Sequence, residues 1–205
     1  MVTISEGQHR AVAAAIRAAE AKTTGEIFCV AAEQSDDYRL YPAIWALLTA
    51  LTVPSVLLIF GATSAPLLVM IQLGTGIALL ALSQWTPLRV HLVPRAVRRE
   101  RAHLKAVDMF LAHNIHATPD RTGILIFVSM AEHHAEVVAD RGIFEVVPQE
   151  TWVAMIDQLI VRIKAGALTE GLVEAIGTAG EILAAHMPAE ETPKVDYLPN
   201  SLVVI

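Results

Sequence analysis

Hydrophobic and polar positions change rhythm three times along this chain. Near the start, Ile4, Val12, Ile16 and Ala19 recur at helical spacing, with Arg10, Arg17 and Glu20 between them; this predicts an amphipathic helix. Ser5 followed by Gln8 is a capping-box start for it. "TGEIFCVAA", Thr24 to Ala32, then switches to a short apolar run behind a glycine turn and predicts a strand. From Leu40 to Leu88 the rhythm stops: no Lys, Arg, Asp, Glu or His occurs. "GATSAP" divides this stretch into two runs, about 41–60 and 67–86. Each has the ~20 residues that a helix needs to cross a ~30 Å hydrocarbon core. Neither keeps the polar face expected of a surface helix in a soluble domain.

Alternation resumes after residue 88. "PRAVRRERAHLKAVDMFLAHNI" reads as a long amphipathic helix, with Val97, Leu104, Val107 and Leu111 as its inward stripe and the arginines on the opposite face. "TGILIFVSMAE" predicts a strand buried on both faces, and "HHAEVVADRGI" an antiparallel partner with His133 and His134 in the turn. A helix follows with Trp152, Ile156, Leu159, Ile160 and Ile163 inward, closed by Gly166. The last helix starts at Thr169 as N-cap and ends at Pro188, and Gly177 and Gly180 mark a close approach to a neighbour.

This order of elements is α/β: a small mixed sheet packed with helices, with a transmembrane helical hairpin inserted after the first strand. A first part of under 40 residues cannot bury a core alone. The strand at 24–32 must therefore lie beside the strand at 122–131. The expected divisions are 1–37, the first part of the domain; 38–88, the hairpin; 89–188, the second part; and 189–205, a C-terminal tail.

Charge gives the hairpin a direction. Between the runs there is no cation, whereas Arg39 precedes them and Arg89, Arg95, Arg98, Arg99, Arg101 and Lys105 follow. Cationic flanks stay in the cytoplasm, so the expectation is an inner (plasma) membrane protein with two spans and both termini cytoplasmic. Trp45 and Trp85 would sit at the interface, with Arg95, Arg98 and Arg99 at anionic headgroups. The expected partners are the lipid bilayer and another membrane protein. A net charge of −6 argues against nucleic acid. The single cysteine, Cys29, forms no internal disulfide and suits a reducing compartment.

Candidate chemistry is sparse. No nucleophile elbow, P-loop or G-x-G-x-x-G occurs. At "ADRGIFEV", Asp140 could serve as nucleophile or metal ligand, with Arg141 gripping a phosphate or carboxylate and Gly142 and Glu145 beside them. The end of a strand is where such sheets present ligands. The structural alternative is a turn in which Asp140 caps backbone amides and Gly142 supplies a positive φ. Weaker metal candidates are Asp36 and Asp37 in "EQSDD", and His113 and His116 with His133, His134 and Asp120. No cofactor is expected unless a divalent cation serves one of these groups. In the tail, Leu198, Pro199, Asn200, Leu202 and Val204 belong to a β-prone segment. It either adds a strand to its own sheet or joins a partner's.

Taken in order, "TGEIFCV", the pair "TGILIFVSMAEHHAEVVADRGI" and "IKAGALTEGLVEAI" resemble the TPM domain, a family named after a thylakoid lumen protein, a photosystem repair factor and an animal receptor modulator. With "ADRGI", the terminal "DYLPNSLVVI" and the two-span insertion, the chain is similar to a bacterial membrane subgroup. The resemblance implies the α/β fold and, from plant members and other relatives, acid phosphatase activity or calcium binding. Of the family's G-x-G-L-E-G turn, this chain keeps only Gly142. The expected function is therefore a non-enzymatic accessory protein on the cytoplasmic membrane face, serving assembly, repair or quality control of a membrane complex. The alternative is a membrane-tethered phosphatase using Asp140 and Arg141, with or without a divalent metal.

Overall fold

The computed structural model describes residues 4–61, 64–82, 90–189 and 197–205. Trp85, part of Gly61–Pro66 and the first part of the tail lie outside the described residues. The chain divides into two compact units: Met1–Ser35 with Arg99–Ile205, and Asp36–Arg98. The divisions thus fall at 35/36 and 98/99, where the sequence pattern set 37/38 and 88/89.

The first unit opens with α1, Glu6–Glu20, whose capping box forms as expected. Ser5 Oγ accepts from Gln8 N at 3.3 Å, and Gln8 Oε1 accepts from Ser5 N at 2.8 Å. Val12, Ile16 and Ala19 point inward. Strand β1, Glu26–Ala32, is buried along its whole length, which follows from its position inside a sheet of order β3-β2-β1-β4. β2, Gly123–Ser129, pairs with β1 in parallel, with Glu26 opposite Gly123 and Ala32 opposite Ser129. β3, His134–Ala139, returns antiparallel to β2. β4, Leu202–Val204, runs parallel to β1 on its other side. So the tail adds a strand to its own sheet. Ile205 N donates to Ala31 O, and Glu33 N to Ile205 O, which carries the ladder to the end of the chain.

Helices cover both faces. On one, α1, α6 (Val153–Lys164) and α7 (Leu168–His186) pack on Ile27, Cys29, Ile124, Ile126 and Val137. Gly166, at φ +76, lets the chain turn between the last two helices. Where α7 meets α1, a Cβ on Gly180 would lie 2.6 Å from Ala19 Cβ, so glycine there sets the helix separation. Gly177 faces open space, and the N-cap of α7 is Ala167 rather than Thr169, which lies inside the first turn.

On the other face, α4, Arg95–Ala112, packs on Phe28, Val30, Leu125 and Phe127. Its orientation corrects the expected stripe. Ala102, Ala106 and Phe110 point inward, while Leu104 and Leu111 are about half exposed, at 48% and 52%. The helix approaches Phe28 and Phe127 of the sheet through two alanines and Phe110, and turns Leu104 and Leu111 out.

The second unit holds α2, Leu40–Ile59, and α3, Ala65–Leu82. Both helices are long and apolar enough to cross a membrane. They touch through small residues: Ala46 and Ala50 are buried, and a Cβ on Gly76 would stand 3.7 Å from Ala50 Cβ. Thr49, Thr52 and Ser55 donate to the carbonyls of Trp45, Leu48 and Leu51, four residues back. Those hydroxyls therefore need no water. Pro54 is accommodated inside α2, and an apolar cavity of about 360 Å³ opens beside Trp45, whose Nε1 donates to Leu92 O.

Candidate functional site

β3 runs antiparallel to β2, its neighbour in the sheet, so Asp140 just beyond it lies at the amino ends of β1 and β2, opposite Gly123. The carboxyl ends, where parallel sheets offer ligands, are elsewhere. That removes the positional reason for reading "ADRGI" as a ligand loop. Asp140 is buried and caps α5, the four-residue helix Arg141–Phe144. Its Oδ1 accepts from Arg141 N at 2.7 Å. Its Oδ2 is buried with no hydrogen-bond partner among the described residues.

Arg141 does not share that carboxylate. Its exposed guanidinium turns one helical step forward, and Nε donates to Glu145 Oε1 at 2.7 Å. That hydrogen bond and the Glu145 charge raise the pKa of Arg141 above its ordinary value. The guanidinium near Asp140 is instead Arg121, with Nη1 3.9 Å from Oδ1. Arg121 sits at φ +55 in the turn before β2, and only the folded turn brings it near. Gly142 is required for contact and not for a positive φ: a Cβ there would lie 2.5 Å from Asp120 O and 2.8 Å from Arg121 O.

The metal candidates disperse. His113 stacks on Phe28 with ring centroids 4.7 Å apart, and His116 lies 6.4 Å from Phe110. Asp37 pairs with Arg39 at 3.1 Å. Among the described residues no three His, Cys, Asp or Glu side chains are arranged to hold a metal. Cys29 is fully buried; burial, and then the Glu20 charge, push its thiol up, so it is unreactive.

Two polar clusters escaped the sequence reading. Glu136 on β3 lies between His103 on α4, with Nδ1 3.0 Å from Oε2, and His134, with Nε2 3.6 Å from Oε1. At the carboxyl ends of β1 and β2, Ser129 Oγ donates to Glu132 Oε2, and Ser35 N donates to Glu132 Oε1 at 3.0 Å. Ser35 Oγ completes this latch by donating to Ser129 Oγ at 2.8 Å. The packing of α4 on β3 creates the first cluster, and the pairing of β1 with β2 creates the second.

Of the residues assigned to a partner, Leu198 and Leu202 are turned into the domain's own cores. That assignment is corrected: inserted between the sheet and its helices, they are out of a partner's reach. Val204 is 36% exposed at the sheet edge.

A family model described as the TPM domain matches residues 73–182. No functionally curated protein matches the chain. Among solved structures, the chain is similar to the BA42 protein of the psychrophilic bacterium Bizionia argentinensis, determined by NMR. The TM-score is 0.60 at 21% identity, covering 100% of this chain and 99% of that one. That likeness is one of fold.

Proposed function

This chain belongs to the TPM domain family, and from that premise we propose that it is a membrane-anchored accessory protein without catalysis of its own. The α/β domain stands on the cytoplasmic face of the inner membrane, held by α2 and α3 as spans. There it serves the assembly, repair or quality control of a membrane protein complex. One observation carries this reading: two uncharged helices lie in the chain between β1 and β2, which pair directly. A hairpin set inside one sheet anchors the domain at two chain crossings, where a terminal anchor would leave it on a single tether.

The arrangement around Asp140 supports a non-catalytic role, because Arg141 is engaged with Glu145 and stands apart from the carboxylate. The outer edge of β4 is the surface offered to the partner. A short edge strand with Val204 half out suits strand addition. A photocrosslinker at Val204 in intact membranes is expected to capture one defined membrane protein; capture of random neighbours sinks the partner reading. A reporter fused after Ile205 that works only in the periplasm would reverse the topology.

One observation favours phosphatase chemistry as a second reading: Asp140 Oδ2 is buried without a hydrogen-bond partner among the described residues, and Arg121 is close. Turnover of a generic phosphate ester, abolished by Asp140→Asn, would replace the accessory reading with this one. Equal rates for both proteins dismiss it.

A further inference from the structure

The contact between α2 and α3 is uneven along its length. At Ala50 the two helices nearly touch, since a Cβ on Gly76 would stand 3.7 Å from Ala50 Cβ. One turn back along α2, beside Ala46, the same pair leaves the cavity of about 360 Å³. That volume lies in the range of pockets that take small molecules. Trp45, Ala46 and Thr49 of α2, Leu79 and Leu82 of α3, and Leu92 line it. All six belong to the second unit.

The chemistry of these residues selects the occupant. Both side-chain donors among them are engaged: Trp45 Nε1 donates to Leu92 O at 3.2 Å, and Thr49 Oγ1 to Trp45 O at 2.8 Å. A polar or charged ligand would leave its own groups unpaired there, which is costly. An apolar cavity of this kind stays dry and takes apolar guests. The Trp45 hydrogen bond also fixes the indole as one side of the cavity, where an untethered ring would swing in and fill it. The surroundings point the same way. No Lys, Arg, Asp, Glu or His occurs from Leu40 to Leu88, so a hairpin that spans a bilayer is bathed in hydrocarbon. The apolar guest at hand in that medium is a lipid tail.

We propose that the cavity between α2 and α3 binds one acyl chain of a membrane phospholipid, packed against Ala46. This rests on the anchoring reading above and adds to it a lipid held between the spans, distinct from the lipids that merely surround them. None of the six lining residues is a cation, so zwitterionic and anionic phospholipids are bound alike.

The test uses the full chain in phosphatidylcholine vesicles that contain a trace of phosphatidylcholine with a diazirine midway along one acyl chain. After irradiation, mass spectrometry reads the labelled positions. Trp45, Thr49, Leu79 and Leu82 are expected to be labelled severalfold more than Met70 and Ile77, which are exposed on α3 and report the surrounding lipid. Ala46→Phe, which fills the cavity, should lower labelling of the lining residues to the level of Met70 and Ile77. Ala46→Gly, which enlarges it, and Ile77→Phe, on the exposed side, should leave that labelling in place. Equal labelling of the lining and the exposed side overturns the proposal, whether the cavity is empty or filled by a second copy. So does labelling of the lining that survives Ala46→Phe or is lost in Ala46→Gly as well. Alkaline extraction of the same vesicles reports the spans separately: retained protein with no preference for the lining defeats this proposal alone, and protein released by alkali defeats the anchor with it.

Discussion

At the scale of single residues, Glu136 shows how a surface carboxylate joins two elements that share little sequence. Burial pushes its carboxyl up, but the charge of nearby His134 and the hydrogen bond and charge of His103 outweigh that and hold it below its usual 4.5. A carboxyl whose folded value is depressed contributes stability above its unfolded value, and that contribution is lost as pH falls through the folded value. Glu136→Gln is therefore expected to be less stable than the wild type at neutral pH by about 1 kcal/mol. The deficit should shrink below pH 4.5, as read by thermal melting across pH. A deficit that persists undiminished to about pH 3 would show that the carboxylate charge is not what matters. His134 could be noticed in the sequence as part of a histidine pair, but Glu136 and His103 could not. A helix position and a strand position 33 residues apart share no periodicity that links them. The same holds for Arg121 beside Asp140, whereas Asp140 itself was legible because a capping residue before glycine is a local pattern.

At the scale of elements, legibility followed burial asymmetry. α1 was readable because one face is apolar and the other charged, and β1 and β2 because both of their faces are buried. α4 misled because its inward face is built of alanines and a phenylalanine, while its larger aliphatic residues face out. Hydrophobic spacing locates an apolar stripe and does not say what the stripe meets. β4 is the opposite case: three residues carry almost no periodic signal, yet the element is firmly placed, with Leu202 4% exposed in the core shared with α1 and α7. Leu202→Asp buries an unpaired charge there and should cost several kcal/mol, seen as a lowered midpoint in denaturant titration of the detergent-solubilised chain. Val204→Asp, two residues on at the end of the strand and 36% exposed, should change stability by less than about 0.5 kcal/mol. Equal losses at the two positions would mean that β4 is not seated as described.

For the whole molecule, the central fact is that β1 lies between β2 and β4 and precedes both by a long stretch of chain. Glu26 meets Gly123, 97 residues on, and Cys29 meets Leu202, 173 residues on. A chain lacking residues 1–35 would lose this inner strand and α1 together. It is expected to reach the membrane through its apolar helices yet to be cleared by proteolysis, and supplying residues 1–35 separately should restore protection. A truncated chain as resistant as the intact one would show that β1 is dispensable. That β1 and β2 must pair was legible, because a first part of under 40 residues has no core of its own; the strand order was not, because both neighbours of β1 lie far along the chain. The order of pairing also imposes a timetable. At roughly 5–20 residues per second of synthesis, β1 waits about 5–20 s for β2 and roughly 10–35 s for β4. Through that interval a seven-residue apolar strand has both edges open while the hairpin is made. The sheet is thus finished only after β4 has left the ribosome, and the interval before then is when this protein is most open to aggregation and most in need of a chaperone.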